Sequence, residues 1–175
     1  MTPYLVFGDL PPRIRRMLDE MLIECSGLVV GRTREARSTT PFPSSTDLET
    51  ALAPILSAWG FQHLVAFHHP RGAGAFEYDF WHPSAQVAME VMGYRADDEI
   101  YKDLLKFHVH AETTIAVVWL PRSKWISGRR TDTNFRAATK ALAFAETYLN
   151  VESIVALVYD WELHEGGPSW ELTLL

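Results

Sequence analysis

The chain has 175 residues, 16 Lys and Arg against 22 Asp and Glu, and a formal net charge of −6. Hydrophobic residues at 47% and charged residues at 22% exclude a disordered chain and suit a single domain with a real core. Cys25 is the only cysteine, which excludes a disulfide scaffold and reads as a buried small hydrophobe.

The first residues meet Asp9 too soon for a signal peptide. The apolar runs 115–120 and 154–159 fall far short of the roughly 20 residues a membrane helix needs. A cytoplasmic location, with no membrane partner, is the expectation. The acidic balance argues against a non-specific nucleic-acid coat. It does not argue against an enzyme that confines its positive charge to one face.

Taken in chain order, Ile14, Met17, Leu18, Met21 and Leu22 recur at helical spacing after Pro12, so residues 1–37 form an N-terminal helical segment. That segment carries arginines at 13, 15, 16, 32, 34 and 37. The turn formers of 38–45 make a loop. Asp47 or Thr46 caps a helix that runs to about Trp59, apolar at Leu48, Leu52, Ile55 and Leu56 and stopped by Gly60. Strands are expected at 61–68, 76–82 and 87–92, with turns at 71–74 and 83–84. Next comes a helix over 97–107, whose first turn is acidic and whose apolar face is Ile100, Leu104 and Phe107.

A fully apolar strand at 114–120 ends at Pro121, and the basic loop 122–130 leads to a helix over 134–149. A strand at 154–162 and an edge strand at 169–174 close the chain. The 47–162 core therefore reads αβββαβαβ. Its strands at 114–120 and 154–159 are apolar on both faces, as strands covered on both sides must be. The fold class is α/β, a three-layer α/β/α sandwich.

The chemistry sits on the second and third strands of that core. Alternation puts Glu77, Asp79 and Trp81 on one face of 76–82, and Glu90 with Met92 on one face of 87–92. If the two strands pair as a hairpin, Asp79 and Glu90 sit side by side. Two carboxylates on such apolar strands are costly to bury unless something positive lies between them. Mg²⁺, a hard cation satisfied by a few carboxylates, phosphate oxygens and waters, is the natural guest.

This order of elements, with Asp79 followed by Glu90-Val91-Met92, resembles the PD-(D/E)xK nuclease superfamily. The stretch from Met89 to Phe107 looks most like the small restriction endonucleases of the BglII/BstYI type. The resemblance spans roughly residues 47–160. It implies a restriction-endonuclease-like fold with a mixed central sheet and a metal-dependent endodeoxyribonuclease of type II restriction kind, acting on DNA as a homodimer. It also implies Mg²⁺, with Mn²⁺ as a substitute, held by Asp79, Glu90 and the backbone carbonyl of Val91.

Two departures stand out. Tyr78 replaces the usual proline, and Met92 stands where a lysine is usual. Either the chemistry is lost or the lysine comes from elsewhere. Lys102 on the following helix is the candidate, so Asp79, Glu90 and Lys102 form the expected catalytic set. Glu49 is a further acid that the resemblance places near them. The alternative is a catalytically inactive nuclease-fold protein that binds nucleic acid or protein as a regulatory module. For DNA contact, the loop 122–130 offers Arg122, Lys124, Arg129 and Arg130 around Trp125, with no acid. The histidines at 68, 69, 82, 108 and 110 lack the spacing of a zinc site.

Overall fold

The computed structural model describes residues 4–32, 41–68, 75–93, 98–126, 129–165 and 169–175. The expected turn at 71–74 and the positions Arg34, Arg37, His69 and Asp97 lie outside them. Four helices, α1 (Pro12–Cys25), α2 (Ser45–Ala58), α3 (Asp98–Val109) and α4 (Thr133–Ala145), flank a sheet of eight strands. The strands are β1 (Tyr4–Gly8), β2 (Val29–Val30), β3 (Gln62–His68), β4 (Ala75–His82), β5 (Val87–Val91), β6 (Ile115–Pro121), β9 (Ser153–Leu163) and β10 (Trp170–Leu174). A separate two-stranded ribbon is made by β7 (Lys124–Ile126) and β8 (Arg129–Thr131).

The sheet order is β2-β10-β9-β6-β5-β4-β3, and β1 pairs with the first half of β9. The neighbours β5, β6 and β9 run parallel, while the remaining pairs are antiparallel. All of β6, and β9 from Ser153 to Trp161, is buried, because α1 and α2 cover one face and α3 and α4 the other. Leu18, Met21, Leu48, Leu52 and Leu56 pack on Val117, Trp119 and Leu157. On the opposite face Leu104, Phe107 and Leu142 pack on Ala116, Val118 and Ala156. The three-layer α/β/α sandwich with a mixed sheet is thus the observed architecture.

Local signals explain most boundaries. Ser44 caps α2: its Oγ accepts from the Asp47 N–H at 3.1 Å, while Asp47 Oδ2 accepts from the Ser44 N–H at 2.8 Å. The cap is thus Ser44 rather than the expected Thr46 or Asp47, and Asp47 is its reciprocal partner. Gly60 at φ +90° turns the chain out of it. The N-terminal segment is more than a helix, since β1 and β2 join the sheet and α1 shares one core with α2. Cys25 is fully buried there, and burial pushes its thiol up to about 12. Among the described residues no helix is long and apolar enough to cross a membrane.

Candidate active site

The β4–β5 hairpin is where regular pairing gives way. Its ladder runs from His82↔Val87 to Phe80↔Met89 and goes no further. Past that point the Val91 N–H donates to Asp79 Oδ2 at 2.6 Å, so a carboxylate takes the place of a strand partner. On the other side, the β3–β4 register skips from His63↔Phe80 to Val65↔Tyr78, and Leu64 between them sits at φ +53°. Strict alternation fails at this place. Phe80 packs on the α1/α2 face while Tyr78, two residues earlier, packs on the α3/α4 face. The expectation that Glu77, Asp79 and Trp81 share a face is replaced by a strand that turns over at Asp79, leaving Glu77 exposed.

Asp79 and Glu90 line one cavity of about 390 Å³, together with Glu49, Lys102, Asp103 and Lys106. Glu90 is only 3% exposed, and Lys106 Nζ donates to its Oε2 at 2.7 Å. The same ammonium lies 3.2 Å from Asp103 Oδ1. Glu49 comes from α2 and is bonded to His63 of β3, Oε1 to Nε2 at 2.6 Å. Burial pushes the Asp79 carboxyl up to about 6, against the lowering pull of the Val91 N–H, and Glu49 adds to the rise. Glu90 is raised well above the usual range, by burial first and then by Asp79. For Lys106 burial lowers and its acidic partners raise, and the partners win, so it is a cation at neutral pH.

The cation beside the carboxylates is thus Lys106 rather than the expected Lys102. Lys102 lines the same cavity one helical turn earlier, with an exposed side chain. Met92 is buried with Ile100 and Leu104, and its carbonyl accepts from the Tyr159 hydroxyl at 3.0 Å. It is a core residue.

The basic loop expected at 122–130 is the β7–β8 ribbon, and two of its arginines, though partly exposed, are held by the protein's own acids. Arg122 lies 3.6 Å from Asp132 and stacks over Phe135. Arg130 pairs with Asp160 and donates to Ser123 Oγ at 2.5 Å. Arg129 is exposed, and Lys124 lies opposite Thr131 in the ribbon register. Of the histidines, His82 accepts a turn N–H from Ala85 and His110 bonds Thr113 inside an aromatic cluster.

A hard cation fits this donor set. Oε1 of Glu90 is buried with no hydrogen-bond partner, although Oε2 of the same carboxylate is satisfied. An oxygen orphaned beside a second, half-buried carboxylate is what an oxygen-seeking divalent ion would satisfy. Among the described residues no group of three or more His, Cys, Asp or Glu is placed to hold a metal. The pair alone would leave most of an ion's coordination to other oxygens.

No family model matches the chain, and no curated protein matches it at a significant level. Among solved structures, a similar chain is the restriction endonuclease BglII in its crystal structure complexed with a DNA 16-mer. The TM-score is 0.59 at 12% sequence identity, and the match covers 91% of this chain and 78% of that one. At such identity the likeness is one of fold. The chain has a restriction-endonuclease-like fold.

Proposed function

We propose that the protein is a divalent-metal-dependent endonuclease that hydrolyses DNA phosphodiester bonds in the manner of a type II restriction enzyme. One observation carries the reading: Asp79, Glu90 and Lys106 converge in one cavity, with a buried carboxylate oxygen of Glu90 left unpartnered. The fold, and a structural neighbour described as a restriction endonuclease with DNA, support it.

Asp79, Glu90 and the Val91 carbonyl would hold Mg²⁺ or Mn²⁺. Bound there, the ion supplies the Lewis acidity that phosphodiester hydrolysis needs. Lys106 has three N–H donors, and Glu90 and Asp103 engage two of them. The third would meet a water or a phosphate oxygen as negative charge grows on it. Asp103 and Glu90 hold that ammonium in place. Glu49, tethered by His63, faces Asp79 from the other wall and can orient a water. The rival reading, a catalytically inactive nuclease-fold protein that binds nucleic acid or protein, draws on Met92 in the usual lysine position and on the acidic balance; Lys106 beside Glu90 favours the active reading.

A homodimer, one copy per DNA strand, and a cytoplasmic location belong to the same proposal. Incubating the protein with mixed-sequence plasmid and Mg²⁺ tests it. Discrete cuts that chelation abolishes are expected. Intact plasmid across Mg²⁺ and Mn²⁺, over many target sequences, would overturn it.

A further inference from the structure

The β7–β8 ribbon is bracketed by the cavity. It leaves the sheet directly after Leu120 and Pro121, and it leads into Asn134 of α4, all three of which line the cavity. Between Arg122 and Thr131 the chain has four basic residues and no acid, in a protein of net charge −6.

The ribbon is clamped at its base on both strands. On the entering side Arg122 is held by Asp132 and Phe135, and its backbone N–H donates to the Tyr159 carbonyl at 2.6 Å. On the returning side Arg130, Ser123 and Asp160 close a triangle: Arg130 pairs with Asp160 and donates to Ser123, and Ser123 Oγ donates to Asp160 Oδ1 at 2.8 Å. Asp160 and Ser123 are buried. Arg130 therefore spends its fork on the protein's own carboxylate. Side chains alternate along a strand, so Arg129 belongs to the ribbon face opposite Arg130; both are exposed, but Arg130 is held by Asp160 and Ser123.

We propose that this clamped ribbon is the element that enters the groove of duplex DNA beside the cavity, with Arg129 contacting DNA and Arg122, Ser123, Arg130 and Asp160 serving as its anchor. The proposal rests on the nuclease reading and deepens it. The major groove of B-DNA admits a two-stranded β-ribbon. A ribbon fixed at its base loses little freedom on insertion, which favours binding. It also reassigns two of the four residues first expected to touch DNA. Arg122 and Arg130 position the ribbon and do not bind.

The test is fluorescence anisotropy with a labelled 30-base-pair mixed-sequence duplex in metal-free buffer over a KCl series, paired with thermal melting. Arg129→Ala is expected to weaken binding and to lower the salt slope by about 0.9, the loss of one phosphate contact. Its melting midpoint should match the wild type. Arg130→Ala is expected to lower the melting midpoint, with Arg130→Lys recovering part of it. An unchanged salt slope in Arg129→Ala, or an Arg130→Ala variant of wild-type stability with a reduced slope, would overturn the assignment. Plasmid cleavage is read separately. Cutting that survives with Arg129→Ala at full duplex affinity sinks the ribbon and spares the nuclease, whereas duplex binding without cutting does the reverse.

Discussion

Lys106 Nζ lies 2.7 Å from Glu90 Oε2, with Glu90 buried and Lys106 about one-fifth exposed. Removing one partner of a buried pair leaves an uncompensated charge, whereas removing both can be nearly neutral. Lys106→Met should therefore cost about 3 kcal/mol of stability. Adding Glu90→Gln to the same chain should return most of that loss. Urea unfolding of the two single variants and the double variant at pH 7.5 checks this, and additive losses would contradict it.

Asp79 makes stability pH-dependent in a defined direction. Its folded value, about 6, lies above its ordinary 3.8, so the folded protein binds that proton more tightly than the unfolded chain. The contribution of Asp79 to stability should fall as pH rises from about 4 to about 6 and stay level above. At about 1.4 kcal/mol per unit, the two-unit rise corresponds to about 3 kcal/mol. Glu90, raised for the same reason, acts in the same sense. In EDTA, Asp79→Asn should melt above the wild type at pH 8 and match it near pH 4. A variant that melts lower at pH 8 would show that Asp79 is not strained by its burial.

The two lysines of α3 should separate in kinetics. Lys106 donates to Glu90, so Lys106→Ala should lower kcat for DNA cleavage by about 10²- to 10³-fold, as loss of a charge-stabilising donor does. Lys102 is an exposed cation on the cavity wall, and Lys102→Ala should raise KM a few-fold with kcat nearly kept. Steady-state cleavage of one oligonucleotide substrate decides between them. The reverse pattern would return the catalytic role to Lys102.

The αβββαβαβ order was legible because its strands and helices differ in apolar period, as the fully buried 115–121 and the Leu104/Phe107 face show. The carboxylates Asp79 and Glu90 were legible as acids interrupting apolar strands. Lys106 was not, because 102 and 106 occupy the same helical face. Which of them reaches Glu90 depends on how α3 sits on the sheet. Tyr78 helps set this by donating to the Lys106 carbonyl at 3.1 Å, a contact 28 residues apart. The pairing of Glu49 with His63 is likewise a tertiary contact without a spacing signature. β1 and the ribbon went unread for a different reason. β1 gains its partner only from β9, near the other end of the chain, and the three-residue strands of the ribbon are too short for a period.

Whether Asp79 and Glu90 hold a divalent metal, as proposed, is decided by calorimetric titration of the wild type with Mn²⁺, followed by a melting scan. Binding is expected, with a stabilisation of about 2.7 kcal/mol once free metal reaches 100 times Kd. Both should be absent in Asp79→Ala and in Glu90→Gln. A wild type whose melting midpoint does not move in millimolar Mn²⁺, or variants that bind as tightly as it does, would contradict the account.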